Sequence, residues 1–448
     1  MAQRETLTDR FMEGVAARNP GEDVFLQAVR EVAHDVLTVE KAHSGWAKAR
    51  VLERLTEPDR VLQFRVVWQD DAGEVRINRG WRVQTSNAIG PYKGGLRFHP
   101  SVTPSVLKFL GFEQVFKNAL TGLPLGGAKG GADFDPTGCS DREIMRFCQA
   151  FMAELCRHIG PDLDVPAGDM NVGQREIGYL FGAYKRHKGQ FHGALTGKGE
   201  AFGGSAMRVE ATGFGLVYFV QNMLAERGSD FVGKRVAISG KGNVATHAAE
   251  KAIAEGGRVV SLSDTSGTLW CEEGLSMDGI EWVRSRKASG ADVADPPRGL
   301  GLRFDEGAVP WGRTEAEIVL PCATQNEMTG EMASAALEAG AEIFAEGANM
   351  PLDAGAVRRV EASGALHAPG KAANAGGVAI SGLEMSQNAN RRYLSPGAVD
   401  DALRDIMAEI HARCARDGRV DGKLVYRRGA NVAGYRRVAD AVEAYGIV

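Results

Sequence analysis

Phe25, Ala28, Val29, Val32 and Val36 recur at three- and four-residue intervals, the spacing that gathers apolar side chains into one stripe of a helix. The rhythm then changes. Leu62, Phe64, Val66 and Trp68 alternate with other residues, which predicts a strand with one buried face. Asp70-Asp71-Ala72-Gly73 supplies a turn, and Val75 and Ile77 resume the alternation as the second arm of a hairpin. Thr103-Pro104 has the form of a cap followed by proline at the first helical position. The helix behind it presents Phe109, Phe112, Phe116 and Leu120 to a core.

From Arg235 the texture becomes strand (RVAIS), glycine loop (GKGN), helix (VATHAAEKAIAE) and strand again (GGRVVSLSD). EIVLPCA from Glu317 and AEIFAEGAN from Ala341 read as further strands, separated by helical stretches such as EMASAALEA. Alternating β and α pieces imply a parallel, doubly wound sheet. Leu403, Ile406, Met407, Ile410 and Cys414 form one stripe of a closing helix. The expected fold class is α/β, with two α/β domains divided near Ala206.

The 448 residues carry 53 basic and 57 acidic side chains, a net charge of −4 that offers no basic surface for nucleic acid. Glycine is in excess, 57 residues, and it clusters in short runs of the kind that let backbone approach a ligand. No apolar stretch is long enough to cross a bilayer, no signal peptide is readable, and neither C-x-x-C nor H-E-x-x-H occurs. The expectation is a cytoplasmic protein without a metal site and without membrane or nucleic-acid partners.

Gly240-Lys241-Gly242-Asn243-Val244-Ala245 fits G-x-G-x-x-A between a strand and a helix, the setting of a dinucleotide loop. The first glycine permits the tight turn, the second lets backbone approach a pyrophosphate, and the helix start offers N–H groups to it. Asp264 ends the second strand, where an acid accepts from a ribose 2′-hydroxyl, which favours NAD. Thr265, Ser266, Arg284, Arg286 and Lys287 are hydroxyls and cations that suit a 2′-phosphate. The choice between the two cofactors stays open at this level.

Between Gly90 and Gly131 the basic residues Lys93, Arg97, Lys108, Lys117 and Lys129 face one acid, Glu113. Lys93 and Lys129 are flanked by glycines, and Gln114 and Lys117 share a helix face, so the segment suits a substrate with two carboxylates. Lys129, in GGAKGG, is expected to be desolvated, with a depressed pKa that fits it for proton transfer near neutrality. Asp169, in PAGDMNVG, reads either as a positioned carboxylate or as a turn residue.

Together these segments resemble the hexameric glutamate dehydrogenase family over nearly the whole chain. LPLGGAKGGADFDP matches that family's active-site signature, and GPYKGGLRFHP, PAGDMNVG, SGKGNVA, PCATQNE, AEGANMP and PGKAANAGGVAISGLEMSQN follow in its order. Length and the last segment resemble the bacterial NADP-linked branch. The resemblance implies that Lys129 and Asp169 are catalytic, that Lys93 and Ser381 bind the side-chain carboxylate of glutamate, and that Gln114 and Lys117 hold its α-carboxylate. The Gly168 backbone would accept from the amine, and Thr212 and Asn243 would join Gly240, Gly242, Asp264 and Lys287 around the dinucleotide.

It also implies a substrate-binding and oligomerisation domain at residues 1–205, to which a helix at about 425–448 returns, and a Rossmann-like dinucleotide-binding domain at 206–424. Closure of the two around substrate and a homohexamer are further expectations. The activity implied is reversible oxidative deamination of L-glutamate to 2-oxoglutarate and ammonia with NADP(H), a nitrogen-assimilation step of amino-acid metabolism. The alternatives are an NAD-dependent form, a dehydrogenase of another amino acid, and a catalytically silent nucleotide-binding regulator.

Overall fold

In the computed structural model, which describes residues 6–447, the first apolar stripe forms a helix from Asp23 to Ala42, with Phe25, Val29, Val32 and Val36 buried. The alternating segment forms β1 (Arg60–Gln69), which pairs antiparallel with β2 (Val75–Ser86). Thr103 caps the helix Pro104–Leu120 by accepting from Val106 N–H, and Phe109, Phe112, Phe116 and Leu120 lie on its buried side.

β3 (Tyr92–Phe98), β4 (Gly127–Ala132) and β5 (Asp164–Gly168) complete a five-stranded sheet of order β1-β2-β4-β3-β5. β3 runs parallel to both neighbours, with Leu96 opposite Gly130 and Gly168. One face rests on an aromatic cluster in which Phe98 packs edge-on against Phe134, Phe147 and Phe151, and Phe134 stacks on Phe147 at 3.8 Å. Such rings bury large areas with fixed geometry, which keeps this end of the sheet rigid.

A seven-stranded sheet follows, built from β6 (Arg235–Ile238), β7 (Arg258–Asp264), β8 (Gly267–Trp270), β9 (Arg303–Glu306), β10 (Ile318–Leu320), β11 (Ile343–Ala345) and β12 (Leu366–Ala368). Its order is β12-β11-β10-β6-β7-β8-β9, and the first five are parallel. β8 and β9 are antiparallel, so the sheet is not parallel throughout as the β/α alternation implied. The cause is local: Asp264 accepts from Ser266 N–H and Oγ–H, which bends the chain back into a hairpin. Chain order reverses between β6 and β10, the place where doubly wound sheets bind ligands.

The chain forms two compact units: one of Met1–Ala206, Ser381–Pro396 and Asn431–Val448, the other of Met207–Ile380 and Gly397–Ala430. Two boundaries differ from the sequence reading. Ser381–Pro396, expected within 206–424, belongs to the first unit, and the returning tail starts at Asn431 rather than about 425. Both differences arise because the division falls inside the helices Gly376–Asn390 and Tyr426–Tyr445, which carry no turn signal there. Among the described residues no helix is long and apolar enough to cross a membrane.

Candidate active site

β4 is a strand of glycines and alanines around one lysine, and every residue of it is buried. The missing side chains let it press against the helix Pro104–Leu120, where a Cβ on Gly127 would meet Val115 at 2.3 Å; the helix lies as close to the neighbouring β2, where a Cβ on Gly111 would meet Thr85 Oγ1 at 2.5 Å. Lys129 therefore leaves the strand with almost no solvent around it, 4% exposed. Its Nζ lies 3.0 Å from Asp169 Oδ1, and Arg97 Nε donates to Asp169 Oδ2 at 2.7 Å. Desolvation pulls the Lys129 ammonium below the ordinary lysine range, aided by Arg97 and Arg82 and opposed by Asp169. Burial alone would raise the Asp169 carboxyl, but Lys129 and Arg97 outweigh it and hold the group well below the usual carboxylate range.

Lys93 is also buried, and its Nζ donates to Thr196 Oγ1 at 2.8 Å. Asn118 ties the helix to this strand, donating to Lys93 O at 3.1 Å and accepting from Gln114 Nε2 at 2.7 Å. Lys117 stands one turn beyond Gln114, half-buried. Gly168 ends β5 directly before Asp169, and Ser381 is buried on the helix Gly376–Asn390. Lys108 turns elsewhere, pairing with Glu22 at 2.8 Å and bonding Asn19, whereas Arg97 and Lys129 of the same five-cation segment meet at Asp169 and Lys93 lies buried on β3.

Gly95 is the saddle of this arrangement, one residue before the Leu96–Gly130 pair and thus beside Lys129. A Cβ there would lie 2.8 Å from both Asp169 Cβ and Gly168 O. A Gly95→Ala variant is therefore expected to displace Asp169 from Lys129. A crystal structure of the folded variant checks it.

In the second unit the glycine loop Gly240–Asn243, the candidate dinucleotide loop, forms at the end of β6. Gly240 adopts φ +89°, and a Cβ on it would meet Ala323 Cα at 3.2 Å. Gly242 starts the helix Asn243–Ala254 without a side-chain cap, and a Cβ on it would meet nothing within 4 Å, so N–H groups and open space suit a pyrophosphate. Gly213 packs the helix Ala211–Ala225 on this one (a Cβ would meet Ala248 N at 2.5 Å), while Thr212, in the first turn of that helix, turns its Oγ1 toward Gly377, where a Cβ would lie 2.6 Å from it. Asn243 Oδ1 accepts from Lys287 Nζ.

Asp264 is not free to receive a ribose hydroxyl. Its Oδ1 accepts from Ser266 N–H and Oγ–H, and its Oδ2 accepts from Lys241 Nζ at 2.7 Å and Val293 N–H at 3.2 Å. Two donors on each oxygen use the capacity of a carboxylate. Arg284 is engaged by Glu250, and Arg286 by the Asp292 carbonyl, so of the three cations noted in sequence only Lys287 meets the loop.

Residues 203–446 match the family model described as glutamate/leucine/phenylalanine/valine dehydrogenase, and residues 58–186 match that of its dimerisation domain. The chain belongs to this dehydrogenase family. It is 51% identical over 444 residues to the NADP-specific glutamate dehydrogenase of a Psychrobacter species, covering 98% of this chain and 99% of the relative. It is equally 51% identical, over 443 residues, to the NAD-specific glutamate dehydrogenase of Bacteroides fragilis, covering 98% and 99%. A solved glutamate dehydrogenase structure superposes with a TM-score of 0.96 at 47% identity, covering 98% of this chain and 99% of the other.

Within the dehydrogenase fold the sequence reading missed Thr196 as partner of Lys93, Arg97 as second partner of Asp169, and Lys241 as partner of Asp264. Arg97 is visible in the sequence as one of the five cations between Gly90 and Gly131, and Lys241 as a cation inside the glycine loop, neither with a partner to assign. Thr196, in LTGKG, carries no signal in the sequence, because it lies 103 positions from Lys93 and only the fold brings the two together.

Proposed function

We propose that the chain is an NADP(H)-linked glutamate dehydrogenase that interconverts L-glutamate with 2-oxoglutarate and ammonia. The observation that carries this reading is the buried Lys129 of a glycine-built strand, paired with the partly buried Asp169 that follows β5, beside a strand that holds the buried ammonium of Lys93. The first unit is the substrate-binding part and the second the dinucleotide-binding part.

Lys93, with Ser381, receives the side-chain carboxylate, and Gln114 and Lys117 hold the α-carboxylate. Charge-assisted hydrogen bonds to a dicarboxylate offset the desolvation of these ammonium groups. The Gly168 carbonyl accepts from the substrate amine. NADP supplies the hydride acceptor, held by the Gly240–Asn243 loop, Thr212 and Lys287. Lys129, with its lowered pKa, takes a proton from water attacking the substrate carbon and stabilises the oxygen that becomes negative. Asp169, held ionised, moves protons at the departing nitrogen. NADPH oxidation should require both 2-oxoglutarate and ammonium. Oxidation that proceeds without either, or an absence of turnover, contradicts the reading.

Relatives of equal identity carry both cofactor specificities, so overall similarity does not choose between them. The saturated Asp264 carboxylate supports NADP, because it leaves no acceptor for a 2′-hydroxyl and sets the Lys241 cation beside that position. A Lys241→Ala variant should lose roughly ten- to a hundredfold in kcat/KM for NADPH, the worth of a charge-assisted hydrogen bond, with NADH little changed. Binding of 2′,5′-ADP by calorimetry should weaken in parallel; equal loss for both cofactors contradicts the assignment.

A homohexamer belongs to the same reading. Val61, Val67, Val75 and Ile77 lie exposed on one face of the β1–β2 hairpin, an apolar patch suited to another subunit. Sedimentation should give about six times the 47.9 kDa chain mass. The six cysteines are all free, which fits a cytoplasmic location.

A further inference from the structure

We propose that the buried Lys198–Glu384 ion pair is a positioning device for the Lys93 subsite, setting where the substrate's side-chain carboxylate is received. The proposal rests on the assignment of Lys93 to that carboxylate.

Both side chains are fully buried, with Lys198 Nζ 2.6 Å from Glu384 Oε1. The carboxylate does more than answer one cation. Its Oε2 accepts from Gly197 N–H at 2.9 Å and its Oε1 from Lys198 N–H at 3.4 Å, while Lys198 Nζ turns back to the Leu195 carbonyl. Leu195 to Lys198 is thus wrapped around one acid. The residue inside that wrap is Thr196, whose N–H donates to Pro166 O on β5 at 3.0 Å and whose Oγ1 holds Lys93 Nζ. Moving the wrap moves the hydroxyl that orients the Lys93 ammonium.

Glu384 lies one turn beyond Ser381 on the same helix, and residues three apart share a helix face. Further along this helix Gln387 donates to Ser205 Oγ at 2.9 Å and Asn388 to the Gly203 carbonyl at 2.7 Å. A core that needed only burial would fill this space with apolar side chains, because a buried ion pair adds little stability over a well-packed apolar one. Here the acid fixes two consecutive backbone N–H groups next to Thr196, a register that apolar packing does not impose.

The test uses the full-length enzyme. Glu384→Gln keeps the side-chain volume and removes the charge. It should raise KM for 2-oxoglutarate roughly tenfold, leave kcat and the KM values for NADPH and ammonium within about twofold, and narrow the preference for 2-oxoglutarate over 2-oxohexanoate. Thr196→Val, which removes only the hydroxyl, should reproduce this split. A Lys198→Met/Glu384→Met double variant leaves no unpaired charge and should fold, yet still shows the raised KM because the Gly197 N–H goes unanswered. Folded Glu384→Gln and double variants with the wild-type KM and preference overturn the proposal. Lys93→Leu is the control: lost preference there alone leaves the Lys93 assignment standing and removes the positioning role, and retained preference there removes both.

Discussion

Replacing Lys129 with alanine should lower turnover by about three orders of magnitude, within the range of a lost acid–base group, while 2-oxoglutarate still binds. Binding should survive because Lys93, Gln114 and Lys117, the proposed carboxylate ligands, are untouched, so the loss should appear in kcat rather than KM. Calorimetry on the variant separates the two quantities. The pH profile adds a signed test. Desolvation lowers the Lys129 pKa, so the rise in rate with pH should fall below the ordinary lysine range and vanish in Lys129→Ala. The Asp169 charge raises that pKa, so Asp169→Asn should shift the rise to lower pH while reducing the maximal rate. Near-normal turnover in Lys129→Ala removes the role.

The second large effect is on specificity. Lys93→Leu should cut kcat/KM for glutamate by about 3 kcal/mol or more, roughly a hundredfold, because the distal carboxylate enters a site whose buried cation is gone. Norleucine, which carries an apolar chain of similar length, should be less affected or improved. The ratio of kcat/KM values for the two amino acids is the measurement. If wild type already prefers norleucine, Lys93 does not serve a carboxylate.

Which of these residues the sequence reveals follows from how each is held. Lys129 stands out because glycines flank it on both sides, and the same glycines let β4 press against its helix in the folded chain. The Gly240 loop is legible because a tight turn between strand and helix needs specific residues in a row. Arg97 is not, since its bond to Asp169 spans 72 positions and depends on the parallel register of β3 and β5. Lys108 shows the converse error: nearness in sequence to Lys93 and Lys117 groups it with them, while the helix turns it toward Glu22. Asp264 was read from its place at the end of β7, and only the hairpin that follows shows its oxygens already taken. The Ser381–Pro396 segment went to the wrong unit because a continuous helix carries no mark where one core ends and another begins.

The central claim is that a dicarboxylate is held by buried ammonium groups with its reacting carbon against Lys129. A crystal structure of the protein soaked with 2-oxoglutarate tests it most directly. The account predicts the distal carboxylate at Lys93 Nζ, the other at Lys117 and Gln114, and the keto oxygen within hydrogen-bond distance of Lys129 Nζ. A ligand bound elsewhere, or seated with Lys129 turned away from the keto carbon, contradicts it.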